Sequence, residues 1–589
     1  MEGLWRYCEV MYVTSVPNRG SPPAILLRES YREGGKVRNR TLANLTAWPR
    51  EKVEALRRVL RGDGGVATAA VEDSFEIERS RPHGHVAAAL GTLRRLKLDT
   101  IIGSKPTRQR ELCLAMIVAR ILEPASKLAT ASSLAPETLH STLGEVLRVD
   151  SADEDELYTA MDWLLERQGR IEAALARRHL GEGSLVLYDL TSTYFEGRHC
   201  PLARLGYARD DSKGKLQIEF GLLTDAEGCP VAVQVFEGNV GDPKTLAPQI
   251  EKLQNRFGLK EIVLVGDRGM ITAARIRDDL RPLEGLAWIT ALRAPEIRGL
   301  VQRGTLQLSL FDEKDLAELV DPAFPGERLV ACRNPLLGAE RARKREDLLR
   351  ATERELDKIA TATTRPKRRL KDPKRIAFRV GKLLGRFKVA KHFHWEITEE
   401  GLRYERDQDN IAQEAALDGI YVIRTNVSAN RLDASATVLS YKKLSTVERA
   451  FRSYKTVDLH VRPIFHRKED RVRAHVFLCM LAFYVEWHMR RALAPVLFDD
   501  DDRKTAAALR RSAVAPAQRS PRALSKIASK RTEDGFPARS FHTLLKDLAT
   551  IVKNRVRAKL GTAPAFDKIT TPTPIQQRAF DLLQVSLRM

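Results

Sequence analysis

Three observations predict an α/β fold whose core is interrupted by an inserted domain and preceded by a strand-containing and helical region. Apolar runs of strand length recur between residues 184 and 292 and return at 418–426. Helical periodicity fills 104–180, ahead of them. Between 293 and 417 an acidic patch, a charged helical stretch (GAERARKREDLLRATERELDKIA) and a basic run replace that rhythm. At 589 residues the chain exceeds what one hydrophobic core organises, so several domains are expected.

The elements follow in order. Residues 1–103 form a first module, in which runs broken by Pro and Gly (MYVTSV, PAILLRESYRE) predict strands ahead of a helix at about 50–61. Residues 104–183 form a helical module. ELCLAMIVARIL gives it an apolar face, and a second helix starts at Asp153 with acids in its first turn, where the helix dipole favours them. The first part of the core spans 184–292. SLVLYDLTSTYFEG reads as a buried strand around Asp189, and KLQIEFGLLT and PVAVQVFEG, joined by Asp225-Ala226-Glu227-Gly228, read as a hairpin, giving three antiparallel strands. Pro243 opens a helix to about Phe257, EIVLVGDRGM is a buried strand that delivers Asp267 at its C-terminal end, and LAWITALR is the next strand. Residues 293–417 are the inserted domain. Residues 418–490 are the second part of the core: the strand DGIYVIRTN, one long helix around TVLSYKKLSTVERAFRSYK, and an apolar helix containing AHVFLCMLAFYVEW. Residues 491–589 are a basic C-terminal region.

A hydrophobic fraction of 43% with 30% charged residues excludes the disordered and fibrous classes. The six cysteines, Cys8, Cys113, Cys200, Cys229, Cys332 and Cys479, contain no Cys-x-x-Cys pair, which points away from a zinc site or a disulfide framework and fits a reducing compartment. The segment MEGLWRYCEVMYV lacks the organisation of a signal peptide, and no stretch of ~18 apolar residues could span a bilayer, so a cytoplasmic protein without membrane contact is expected. The net charge of +22 points to a polyanion, nucleic acid before membrane. It is concentrated: residues 365–391 hold 12 Lys or Arg against one Asp, and residues 503–560 hold 15 against three acids, leaving the rest of the chain near neutrality. Concentration favours binding surfaces over general solubility, with solvated linker as the plainer alternative.

The candidate chemistry lies in three acids, Asp189, Asp267 and Glu448. Asp189 and Asp267 interrupt or end apolar strands, where an unpaired carboxylate costs several kcal/mol and calls for a cation. Either alone could simply cap a turn; in strand, hairpin, helix, strand order the pair is more specific. Glu448 lies midway between Tyr441 and Lys455, seven residues from each, so the three return nearly to one helical face, with Arg452 four residues on. Such a face could equally be solvated. Cleaving and joining phosphodiesters needs the attacking and leaving oxygens held in line, which two Mg²⁺ ions ~4 Å apart accomplish when carboxylates hold them. Mg²⁺ keeps several waters, so a few acids from separate elements suffice.

These residues carry a family resemblance. Tyr441, Glu448 and Lys455, together with YDLTSTYFEG, LVGDRGM, DGIYVIRTN and ERAFRSYK followed by RPIFHRKEDRVRAH, make residues 184–490 similar to the DDE-type insertion-sequence transposases. Within these the chain resembles the insertion-sequence-four class, whose last acid sits in a Tyr-x2-Arg-x3-Glu-x6-Lys signature. Leu444 stands where that signature has Arg, and Lys443 or Arg452 are candidates for the missing charge. The resemblance implies an RNase-H-like catalytic core with Asp189 on its first strand, Asp267 on its fourth and Glu448 on a later helix. It also implies cut-and-paste DNA transposition: endonucleolytic cleavage at the element ends and 3′-OH strand transfer into target DNA, with catalysis and metal binding by Asp189, Asp267 and Glu448. The implied cofactor is Mg²⁺, two ions, with Mn²⁺ able to substitute.

The implied partners are double-stranded DNA, as terminal inverted repeats and as target, and a second copy of the chain, making a homodimer on DNA that is nucleoid-associated when bound. Tyr441, Lys443, Arg452, Lys455, Arg462 and His466 are the candidate DNA contacts, and the helical module 104–183 is a further candidate. Two other readings use the same residues: an RNase-H-like nuclease that cuts without joining, and an inactive DNA-binding relic or regulator.

Overall fold

The computed structural model describes residues 10–18, 20–33, 36–61, 75–138, 140–197, 199–207, 209, 214–312, 314–559 and 564–589. Residues 1–9, which include Cys8 and most of the segment read for a leader, lie outside them.

Strands β1 (Val10–Asn18), β2 (Ser21–Glu33) and β3 (Lys36–Asn44) form an antiparallel sheet followed by helix α1 (Arg50–Arg61), close to the expected 50–61. Strand β4 (Phe75–Pro82) leads into the helices α2 (Gly84–Arg95), α3 (Arg108–Leu122), α4 (Glu154–Glu166) and α5 (Gln168–His179). Asp153 caps α4, its side chain accepting the Glu156 N–H at 2.8 Å.

The centre of the molecule is an eight-stranded mixed sheet. It is built from β5 (Ser184–Tyr194), β6 (Gln217–Thr224), β7 (Pro230–Glu237), β8 (Ile262–Val265), β9 (Leu286–Ala291), β10 (Leu316–Leu319), β11 (Arg328–Arg333) and, after an excursion, β14 (Ile420–Thr425). The strand order is β10-β11-β14-β9-β8-β5-β6-β7. β5, β8 and β9 run parallel, and the neighbours on either side are antiparallel. β6 and β8 are buried along their length because the sheet is covered on both faces.

The chain leaves this sheet between β11 and β14. Helices α6 (Pro335–Thr364) and α7 (Pro373–Phe387) and the hairpin β12 (Phe393–Ile397) and β13 (Leu402–Arg406) surround an apolar cluster of their own that includes Leu349, Leu356, Ile376, Val380 and Phe393. Residues 293–334 belong elsewhere: they supply β10 and β11 to the main sheet, so the excursion starts at Pro335 rather than at 293. The buried run LVAC in β11 carries the same apolar signal as the core strands.

The long helix expected around 437–455 is two. Helix α8 (Ala434–Lys442) ends and α9 (Leu444–Arg452) begins at a break at Lys443, and a π-turn covers Ser453–Val457. Ser445 and Thr446 explain the break, since their hydroxyls donate to the carbonyls of Lys442 and Lys443 at 2.8 and 2.6 Å and draw those groups out of the helical ladder. Helix α10 (Glu469–Leu493) is buried along most of its length and packs on α2, α3, α4 and β7. Helices α11 (Phe541–Ala549) and α12 (Pro574–Leu583) pack against α2, and β15 (Val552–Ala558) pairs with both β4 and β16 (Phe566–Ile569) in a further sheet. Among the described residues no helix is long and apolar enough to cross a membrane.

Candidate active site

The parallel register of β5 and β8 builds the site. It pairs Leu187 with Val265. Carried two residues further, it sets Asp189 beside Asp267, just past the end of β8, and strand neighbours lie about 4.8 Å apart. Helix α9 packs on β5. Its apolar face, Leu444, Val447 and Phe451, is buried, while Glu448, one turn after Leu444, is exposed to the cavity beside the sheet. That cavity, of about 610 Å³, is lined by Asp189, Asp267 and Glu448 together with Tyr441, Leu444, Arg209 and Asp242.

Asp189 Oδ1 accepts the Leu190 N–H at 2.8 Å. Burial pushes its carboxyl up to about 7, and the nearby Glu448 and Asp267 act in the same direction, against the Leu190 N–H and Arg209. Asp267 Oδ2 accepts the Gly269 N–H at 3.1 Å, and the Tyr441 hydroxyl donates to Asp267 Oδ1 at 3.4 Å. Gly269 keeps the space open: a Cβ there would lie 3.3 Å from Asp267 Oδ2 and 3.6 Å from Asp242 Oδ2. Asp242, which forms a short ion pair with Arg209, is therefore a fourth carboxylate of the site. Sequence reading missed both residues, because an Asp before a Pro at a helix start reads as a cap and Arg209 lies in a loop without periodicity.

The remaining sequence candidates divide. Tyr441 lines the cavity. Lys443 instead pairs with Glu227 at 3.1 Å, and Arg452 lines a separate cavity with Arg449, Arg490 and Arg503. Half-buried Lys455 lies in the π-turn outside the cavity lining. Arg462 and His466 line a third, basic cavity. Leu444, in the place of the signature Arg, is buried, and among the described residues the cations lining the acidic cavity are Arg209 and Lys442. The Lys442 Nζ donates to the carbonyls of Ala513 and Val514 at 2.7 and 2.6 Å, and burial holds it down to about 8.

The two basic segments differ. In 503–560 many charges are used internally: Lys526 pairs with Asp501, Arg539 with Asp547, Lys553 with Glu145 and Asp567, and Arg557 with Glu78. In 365–391 all twelve basic side chains are exposed, and α7 buries Ile376, Val380, Leu383 and Leu384 while presenting Lys374, Arg375, Phe378, Arg379 and Lys382 outward. The described cysteines are free and buried. Cys229 Sγ lies 3.9 Å from Nε2 of both His179 and His488, though the Tyr484 hydroxyl already engages His179 Nε2 at 3.0 Å.

Comparison with known proteins bears on this geometry. The family described as transposase DDE domain matches residues 192–485, and the IS1634 family transposase N-terminal domain matches residues 10–69. Together they match more than half of the chain, which belongs to the DDE transposases and is an insertion-sequence DNA transposase. The family named for its N-terminal part is IS1634, where the signature residues had suggested the insertion-sequence-four class. No curated protein matches the chain. Among solved structures, a piggyBac transposase synaptic complex with hairpin DNA is similar at 9% identity and a TM-score of 0.33, over 69% of this chain and 72% of that one, a likeness too loose to bear on the site.

The Asp189 shift predicts a pH dependence. In the metal-free chain this carboxyl, ordinarily ionising near 3.8, ionises at about 7 when folded, so its contribution favours the folded state at low pH and is lost as pH rises through 7. Asp189→Asn removes that loss. In a chelating buffer its unfolding midpoint should gain on wild type as pH rises from about 5 to about 8; a constant difference between the two would contradict the shift.

Proposed function

We propose that Asp189, Asp267 and Glu448 together form the metal-binding catalytic centre of an RNase-H-like core, which cleaves element ends and transfers their 3′-hydroxyls into target DNA. The observation that carries this reading is the register that brings Asp189 on β5 beside Asp267, just past the end of the parallel β8, with Glu448 lining the same cavity. The order β7-β6-β5-β8-β9, an antiparallel three-strand meander extended by two parallel strands, supports an RNase-H-like core, and the excursion between β11 and β14 is its inserted domain.

The donor set fits hard divalent cations. All three acids offer oxygens, the suitable ligands for Mg²⁺ or Mn²⁺, and Gly269 leaves room beside two of the carboxylates. Asp189, Asp267 and Glu448 would hold two Mg²⁺ ions, with Asp242 close by. When bound, such ions polarise the scissile phosphodiester and stabilise charge on the attacking and leaving oxygens. The chain's own groups position the centre: the Leu190 and Gly269 N–H groups orient the carboxylates, and Tyr441 fixes Asp267. Arg209 offsets negative charge near Asp189, the role that Leu444 cannot serve. Tyr441 and Lys455, with Leu444 in place of Arg, are the elements shared with the insertion-sequence-four signature.

Helix α7 is the backbone-gripping surface. The charged side chains Lys374, Arg375, Arg379 and Lys382 make no ion pair with a described residue, and Phe378 stands exposed among them. α6 begins at the cavity, where Asn334 and Leu337 line it, and its 30 residues extend about 45 Å outward. Two copies on two ends would make the homodimeric assembly that transposition of a two-ended element requires.

Purified protein, Mg²⁺ and duplexes carrying the ends that flank its own gene test the centre. Wild type should cleave and join, and Asp189→Ala, Asp267→Ala and Glu448→Ala should each lose both reactions while still binding the duplex. Cleavage without joining would replace this reading by a nuclease, and binding without cleavage would remove the catalytic assignment. Replacing Lys374, Arg375, Arg379 and Lys382 by Ala should weaken binding to all duplexes alike and flatten the slope of log affinity against log salt by about 3 to 4, near 0.9 per phosphate contact. An unchanged slope would move the DNA surface away from α7.

A further inference from the structure

Outside the carboxylate cavity, the basic cavity lined by Arg462 and His466, of about 510 Å³, lies between the end of α3 with the loop after it and the segment 460–475. Arg120, Lys127, Arg462, His466 and Arg471 line it, and among the described residues no Asp or Glu does. Arg120 and Lys127 are only 6% and 5% exposed. Among the described residues Lys127 Nζ has no carboxylate or carbonyl partner, and the Arg120 guanidinium donates to one carbonyl, that of Ala125 at 3.1 Å. The Arg471 guanidinium stacks 4.2 Å over the Tyr158 ring, with its Nε unpartnered.

Buried cations without counter-charge cost several kcal/mol, so Arg120 and Lys127 are expensive unless an anion completes their surroundings. The strain is visible in the titrating groups. Burial, then Arg120, pushes Lys127 down to about 7, and burial with Lys127, Arg120 and Arg471 pushes His466 down to about 3. The helix Lys127–Leu134 also starts here, capped by Ser126, so its free N–H groups add positive potential.

We propose that this cavity is a phosphate-binding site, with Lys127 and Arg120 as its buried anchors and Arg471 at its mouth, and that the phosphate it takes is a phosphodiester of the DNA held at the carboxylate cavity. The site is joined to that cavity by β5: Phe195 pairs with Ile464 beside the pocket, six residues beyond Asp189. Six residues of extended chain span about 20 Å, roughly six base-pair steps of duplex. A backbone crossing Asp189 therefore reaches Lys127 within one helical turn, and the pocket holds the end at a fixed distance from the cut. The DNA assignment rests on the transposase reading; the phosphate chemistry of the pocket does not.

The test uses the full chain and Lys127→Met, with Lys127→Gln as a second variant should the first fail to fold. In phosphate-free buffer the variant should melt above wild type, because an unpaired buried cation has gone. Inorganic phosphate should raise the midpoint of wild type and not of the variant. Affinity for the element-end duplex should fall by about tenfold, with the salt slope lower by about 1. A variant that melts below wild type and responds to phosphate as wild type does would overturn the site. A lost phosphate response with unchanged DNA affinity would keep the phosphate site and overturn its assignment to DNA. Because no arm reads cleavage, failure of the catalytic reading would leave these results standing.

Discussion

The structure depends on one register. Pairing Leu187 with Val265 between parallel β5 and β8 brings two carboxylates to adjacent positions at the end of a buried sheet, and the rest of the core accommodates their mutual repulsion. Moving either strand by one residue would turn one aspartate to the opposite face. The metal-free chain offsets the repulsion partly by the Leu190 and Gly269 N–H groups and Arg209, and partly by raising the ionisation of Asp189 to about 7. A divalent cation bound between these carboxylates would offset it more completely, giving folding and metal binding a shared electrostatic origin.

The third carboxylate arrives by packing rather than pairing. Phe220, fully buried on β6, meets the rings of Phe451 and Tyr454 at 5.7 and 5.4 Å between centroids, clamping α9 and the following π-turn to the sheet. At the other end of α9 the β6–β7 turn closes on the helix. Gly228, with φ of +83°, lies so close that a Cβ would meet Thr446 Oγ1 at 2.9 Å, and Lys443 pairs with Glu227. One hairpin thus fixes both ends of the helix that carries Glu448. This explains why Lys443, a candidate DNA contact by spacing, faces the turn.

The strands of the core and their two aspartates were legible because a lone acid in an apolar run departs so clearly from its surroundings. Glu448 was legible through its spacing from Tyr441. The break at Lys443 was not, since it arises from hydroxyl-to-carbonyl bonds that periodicity does not register. Asp242 and Arg209 escaped because their loops reach the cavity only through tertiary folding. β10 and β11 were absorbed into the neighbouring charged region, although their apolar character matches the core strands. The basic segments looked equivalent as composition and diverge as structure: the pairs at Lys526, Arg539 and Lys553 hold the C-terminal region together, whereas the charges of α7 face solvent.

Charge is thus distributed by purpose: acids at the end of the parallel strands, exposed cations on α7, and buried cations around Lys127. Whether Asp189, Asp267 and Glu448 share one metal site is read out by Fe²⁺-directed cleavage of the protein backbone. With Fe²⁺, ascorbate and peroxide, cuts should cluster near residues 189, 267 and 448, be suppressed by Mg²⁺ and be absent in Asp189→Asn. Cuts at only one of these segments, or a pattern unchanged in that variant, would contradict the shared site.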